Sequence, residues 1–222
     1  MKAKHEICGM QILLIAATEK EILPVLNANL KIDILITGVG VPSAMYHLQK
    51  RMQQIDYDLI IQAGIAGSFN KDISPGQTVL VKQDSFGDLG MEEKEIFTSL
   101  FESGYAERNE FPFEDGWLVN RNTILNNSAL QCVNALTVNK VSDSLLQKQQ
   151  LIKAFNAAIE SMEGAALHYV CLQENIPFLQ IRAVSNYVGE RDKTKWKLNE
   201  ATDSLNAAIG KLINQLTDQP KP

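Results

Sequence analysis

Cysteine is scarce in this chain and never paired in spacing. Three of its 222 residues are cysteine, Cys8, Cys132 and Cys171, and no CxxC occurs. That excludes a disulfide framework and fits reduced, buried thiols in a cytoplasmic protein. Histidine is equally sparse. His5, His47 and His168 lie far apart without a partner at ligand spacing, which argues against a structural metal, and no cofactor is implied. Basic charge is lacking too. A formal net charge of -5 leaves no cationic stripe for phosphates, so neither a nucleic acid nor an anionic membrane is an expected partner. No apolar run approaches the ~18 residues of a membrane span. The run at 12–17, after the short Lys2-Ala-Lys4-His5 start, is too short for a signal core and is followed at once by acidic residues. Repeats, low-complexity tracts and linkers are absent as well. With an apolar fraction of 45% to fill a core, residues 1–222 are expected to form a single domain.

What the chain does contain is an alternation of short apolar runs with helical patterns. Residues 11–17 form an apolar run after Gln11, as in a strand covered on both faces, 32–37 form a second, largely apolar one, and 57–63 read as a third strand. Gly38-Val-Gly40 follows the second run, and Pro42 then suits the first turn of a helix. Gly64-Ile-Ala-Gly67 reads as the turn after the third. Further strands are expected at 78–82, 129–138, 157–161 and 177–186. Helices are expected at 142–155, capped by Ser142, after Glu163, and over the final amphipathic stretch from Leu198 to Leu216, which Pro220 ends. Residues 84–115 have weak periodicity and read as a long excursion with one helix near 92–101, of a length that is commonly functional or mobile. Strand and helix in alternation give an α/β layered fold.

In open α/β sheets ligands sit beyond the carboxyl ends of the strands. Glu21 lies after the first strand, where Thr18-x-x-Glu21 also fits a capping box. Pro24 suits a first helical turn, so the helix can begin near it and leave Glu21 free in the turn. Glu163 at a helix start complements the macrodipole. Yet Gly164-Ala-Ala166 lets that helix press close to the sheet, where a half-buried carboxylate needs hydrogen-bond donors such as ribose hydroxyls. Arg182 and Gln180 share one face of an otherwise apolar strand, which suits either a structural ion pair or a ligand contact. Asn186 ends that strand. Ser43 stands where a dinucleotide fingerprint needs its third glycine.

Three ordered motifs carry a family resemblance. Ala17-Thr-Glu-Lys-Glu21, Ser161-Met-Glu-Gly-Ala-Ala166 and Arg182-Ala-Val-Ser-Asn186 resemble those of the purine nucleoside phosphorylase and methylthioadenosine nucleosidase superfamily. The resemblance implies a three-layer αβα fold around a mixed, partly barrel-like sheet, usually in a homodimer or larger homo-oligomer. It implies that Glu21 activates the attacking water, that Glu163 binds the ribose hydroxyls with Met162 beneath the sugar, and that Asn186 meets N7 of the base. It places the turn formed by Gly64, Ile65, Ala66 and Gly67 near water and sugar.

Two departures narrow the expectation. Where one branch of phosphorylases carries arginine and a hydroxyl to hold phosphate, this chain has Gln62 and Ile65. A dianion would lack donors there, so water is the implied nucleophile. Asn186 replaces the aspartic acid of adenine-cleaving members. A carboxamide offers one donor side and one acceptor side but no proton, which suits a 6-oxopurine. Among superfamily members the futalosine hydrolases of menaquinone biosynthesis are then the most similar. Ser185-Asn-Tyr-Val-Gly-Glu-Arg-Asp-Lys-Thr-Lys-Trp196 and Gly64-Ile-Ala-Gly-Ser-Phe69 resemble their runs. Futalosine carries a carboxylate beyond C5′, for which Arg191 and Lys195 are the expected cations, although both also suit a solvated loop. A methylthioadenosine or adenosylhomocysteine nucleosidase, a phosphorylase and a non-catalytic nucleoside-binding module are the alternatives.

Overall fold

A computed structural model of the chain describes residues 10–28, 30–141 and 144–217. Lys2 to His5, Cys8, the Ser142 cap and Pro220 lie outside the described residues. The elements run β1 (Ile12–Ala16), α1 (Glu19–Asn27), β2 (Asp33–Ile36), α2 (Val41–Met52), β3 (Leu59–Ser68), β4 (Thr78–Phe86), β5 (Gly90–Glu93), β6 (Ile96–Ser99), β7 (Leu118–Val119), α3 (Ile124–Asn127), β8 (Cys132–Thr137), α4 (Leu145–Phe155), β9 (Ile159–Ser161), α5 (Gly164–Gln173), β10 (Phe178–Tyr187) and α6 (Leu198–Thr217).

The apolar runs become strands because both faces are covered. In β1, Ile12, Leu14 and Ala16 enter one core cluster, with Ile22 and Val25 of α1 and Leu205, Ile209 and Ile213 of α6. The intervening Leu13 and Ile15 enter another, with Leu48 of α2 and Leu167 and Val170 of α5. Alternate side chains of a strand point to opposite faces, so one uninterrupted run feeds two cores. The result is helices on both sides of the sheet.

The sheet is mixed and partly closed. Strands β1–β2, β1–β3, β3–β10, β4–β8 and β8–β9 pair in parallel. Strands β4–β10 and β3–β9 are antiparallel. The path β3-β10-β4-β8-β9 returns to β3, so these strands form a barrel, from which β1 and β2 extend as an open wing.

Two expected elements differ. The Gly64–Gly67 stretch is not a turn but the distal half of β3, held by β10 as far as Tyr187 and by β9 at Gly67 and Ser68. The helix expected near 92–101 is the β5–β6 hairpin. Lys94 and Glu95 both take positive φ, 52° and 65°, as a two-residue turn of the right twist requires. The β-branched and aromatic Ile96-Phe-Thr98 then favours extension.

Candidate active site

A cavity of about 780 Å³ opens at the carboxyl ends of β1, β3, β9 and β10. Glu21, Ile65, Ala66, Gly67, Met162, Glu163 and Asn186 line it. None of residues 84–115 stands on its wall, so the excursion, expected to be functional or mobile, does not cover this site.

Glu21 is held from two elements. Its Oε2 accepts from the backbone N–H and the hydroxyl of Thr18, both at 3.0 Å, and its Oε1 accepts from Ile65 N–H of β3 at 3.1 Å. The helix begins at Glu19 and not near Pro24, so the capping arrangement is real and Glu21 sits in the first turn. The helix then kinks at Ile22 (φ −124°, ψ 21°). Proline four residues after Lys20 cannot continue a straight helix, since its ring collides with that carbonyl. The kink separates Glu21 O from Val25 N, and Asn206 of α6 splices the gap. Its Nδ2 donates to Glu21 O at 2.9 Å, and its Oδ1 accepts from Val25 N–H at 3.3 Å. Asn206 was not singled out in the sequence; a polar residue on the apolar stripe of α6 was the available signal.

Glu163 caps α5 and is buried. Its Oε1 accepts from Gly40 N–H at 3.0 Å, and its Oε2 lies 3.7 Å from Arg182 Nη1. Burial raises the pKa of Glu163; the Arg182 charge and the Gly40 bond pull it down, and the nearby Glu21 adds to the rise. Arg182 is only 1% exposed and does not reach the cavity wall. Its Nη2 donates to Gln62 Oε1 at 2.7 Å, and Gln62 Nε2 donates to the Glu163 carbonyl at 3.3 Å. Of the two roles open to Arg182, the geometry is that of the ion pair. Gly64 also lies behind the wall. A Cβ there would collide with Arg182 Nη1 and stand 3.0 Å from Glu21 Oε1, so its missing side chain lets the guanidinium pass beneath Glu21.

The start of α5 is fixed from below. Ala165 N–H donates to Thr137 Oγ1 at 2.7 Å, and that hydroxyl donates to Asp84 Oδ1 at 3.0 Å. Asp84 is fully buried, which pushes its carboxyl up to about 6, against the pull of Gln180, Arg182 and Thr137. A Cβ at Gly164 would strike Asp84 Oδ2 and Gln180 Nε2, which explains the small residue after Glu163.

Asn186 reaches the cavity through a β-bulge. Val184 pairs with Ala66 and Asn186 with Gly67, leaving Ser185 as the extra residue. A bulge re-aims side chains, and here Ser185 and Asn186 both line the cavity. Ser185 Oγ donates to Asn186 Oδ1 at 2.8 Å, and Asn186 Nδ2 donates to Tyr187 O at 2.9 Å. One N–H and one oxygen lone pair of the amide remain for a ligand.

The expected cations stand elsewhere. Lys195 binds Glu190 at 2.9 Å, Arg191 lies 6.0 Å from the Trp196 ring centroid, and neither lines the cavity. The loop turns Trp196 to the wall and its charges to solvent. Among the described residues the one cationic residue on the wall is Lys20, against Glu21, Glu160, Glu163 and Asp203. Lys20 and Asp203 carried no signal in sequence, because their place depends on how α1 and α6 pack.

A sequence model of the phosphorylase superfamily matches residues 25–217. The futalosine hydrolase of Thermus thermophilus is 29% identical over 182 residues, covering 81% of this chain and 80% of that protein. The 5'-methylthioadenosine/S-adenosylhomocysteine nucleosidase of Staphylococcus aureus is 25% identical over 193 residues, covering 83% and 82%. The fold is that of the Neisseria meningitidis 5'-methylthioadenosine/S-adenosylhomocysteine nucleosidase, solved in complex with methylthio-immucillin-A. That match has a TM-score of 0.78 at 18% identity, over 93% of this chain and 100% of the other. Among the described residues no helix is long and apolar enough to cross a membrane.

Proposed function

The chain belongs to the phosphorylase superfamily, and we propose that it is a nucleosidase that uses water to cleave a 6-oxopurine nucleoside, futalosine, into hypoxanthine and dehypoxanthinyl futalosine. The observation that carries the choice of water is the acidic wall. Among the described residues, Glu21, Glu160, Glu163 and Asp203 line the cavity with one lysine, Lys20, and Gln62 is spent on Arg182 and Glu163. Among the described residues a phosphate dianion finds no arginine on the wall to hold it.

In this reading Glu21 orients the water and takes its proton as the C1′–N9 bond opens. Attack by a carboxylate-activated water opposite the leaving group is the inverting geometry of glycoside hydrolysis. Glu163 accepts from the ribose hydroxyls, and Met162 packs beneath the ring. Arg182 and Gly64 act from behind, by setting the place and charge of Glu163 and Glu21. Asn186 spends its remaining donor and acceptor on the purine edge. The similarity to the Thermus thermophilus futalosine hydrolase supports the substrate. The Staphylococcus aureus relative supports a second reading, cleavage of methylthioadenosine or adenosylhomocysteine.

Base release from futalosine, methylthioadenosine and inosine, each with and without phosphate, tests this directly. Phosphate-independent release of hypoxanthine from futalosine is expected; a strict phosphate requirement or a preference for methylthioadenosine removes the reading. Asn186→Asp is expected to shift the kcat/KM ratio toward the 6-amino substrate by about tenfold or more, since polar readout of a base edge is worth on the order of 1–3 kcal/mol. An unchanged ratio removes Asn186 as the discriminating group. Lys20, rather than Arg191 or Lys195, is the cation for the substrate carboxylate. Lys20→Gln should raise KM for futalosine up to roughly fivefold and leave that for inosine unchanged, the range of an exposed ion pair. Equal KM changes for both substrates would exclude that role.

A further inference from the structure

Glu160 is the buried carboxyl on the cavity wall to which neither the fold nor the relatives give a task. It lies on β9 opposite Gly67 of β3 and Leu136 of β8. The residue is 6% exposed and lines the cavity. No hydrogen bond to its carboxyl is found among the described residues. A buried carboxylate without donors is costly, and the group answers by staying protonated or by meeting a ligand. Asn186 is its neighbour. A methyl group built on Gly67 would stand 3.5 Å from Glu160 Cγ and 3.6 Å from Asn186 Nδ2. The two side chains therefore flank one glycine at the same end of the cavity.

We infer that Glu160 is a second contact to the departing base, donating its carboxyl proton to the purine that Asn186 can only hydrogen-bond. This rests on the hydrolytic reading above. The C1′–N9 bond breaks and its electron pair passes into the purine. The Glu160 proton goes to a ring nitrogen of the base, the water oxygen bonds to C1′, and the water proton goes to Glu21. Nucleoside and water become base and sugar, and solvent returns the proton from Glu21 to Glu160.

Electrostatics supports the protonated state. Burial is the largest influence and pushes the Glu160 carboxyl up to about 7; Asp88, on the turn after β4, adds to the rise. Lys148 of α4 and Arg191 of the loop after β10 oppose it. Neither cation forms an ion pair with Glu160, and Lys148 Nζ donates to Val188 O at 2.9 Å. The carboxyl therefore holds its proton up to neutral pH, where a general acid is most effective.

The test joins a rate profile to a binding measurement. For hypoxanthine release from futalosine, kcat of the unsubstituted protein should fall as pH rises through about 7. Glu160→Gln keeps the shape but not the proton. It should lower kcat by about a hundredfold and abolish that limb, with an unchanged melting temperature. Retention of kcat within about threefold together with the same limb would overturn the inference. Calorimetric titration of Glu160→Gln and Glu160→Ala with free hypoxanthine, and separately with free adenine, isolates the contact from turnover. Should the unsubstituted protein leave futalosine intact, the hydrolytic reading alone fails. Base binding weakened about tenfold in Glu160→Ala then still supports Glu160 at the base, and equal binding removes it. A protein that binds neither base sinks both.

Discussion

Glu21→Gln is expected to lower kcat by about a thousandfold while KM stays within about threefold, the signature of losing a general base that acts only in the transition state. The substitution is close to isosteric, and the side chain is gripped by donors. Thr18 gives an N–H and a hydroxyl, and Ile65 gives an N–H, at 3.0, 3.0 and 3.1 Å. An amide can accept these on its oxygen side only, so one contact is lost, but Asn206 still secures the backbone at Glu21 and Val25. The fold should therefore survive, and equal melting curves would separate chemistry from stability. Steady-state kinetics with futalosine decides the matter: near-normal turnover would mean that another group activates the water.

The same residues show how far the chain can be read before it is folded. The layered α/β architecture is legible because β1 is an uninterrupted apolar run, and only a sheet covered on both sides accommodates Leu13 and Leu14 alike. Closure of the barrel was legible through the family resemblance alone, since the return of β9 to β3 rests on two residue pairs. The hairpin at β5–β6 was misread as a helix because its turn is Lys94-Glu95, with no glycine or asparagine to mark positive φ. Asn186 was legible as a strand-end amide, but the bulge at Ser185 that turns it to the cavity is a property of the β3–β10 register. Arg191 and Lys195 are the cations that the sequence offers, because charge density in a loop is visible in sequence. That Lys195 pairs with Glu190 is a matter of local loop geometry, whereas Lys20 comes to line the cavity through packing between distant segments. Gly64 was noted for its place in a motif. Its physical reason, a guanidinium passing beneath it, arises only when β3 and β10 pair.

That guanidinium sets the second large expectation. Arg182→Met should destabilise the protein by about 3–5 kcal/mol, the cost of leaving a buried partner charge uncompensated. At this chain length that is roughly 10 °C in melting temperature. Arg182 lies 3.7 Å from Glu163 Oε2, with the two side chains 1% and 7% exposed, so solvent screens little of the interaction. Methionine fills the aliphatic volume and leaves Glu163 with the Gly40 N–H as its donor. The pH dependence identifies the cause. Burial already holds the pKa of Glu163 above 4.5, and Arg182 opposes the rise. Without Arg182 the folded pKa climbs further. A group whose folded pKa is raised binds its proton more tightly in the native state, so stability is retained below the unfolded value and lost as pH rises through the folded one. The deficit of Arg182→Met should therefore be small on the acid side of 4.5 and grow toward neutral pH. Arg182→Met combined with Glu163→Gln should recover much of it, because no buried charge is then left unpaired. A deficit that is flat with pH, or that the second substitution does not relieve, would mean that Arg182 supports the fold through packing and Gln62 and not through the charge of Glu163.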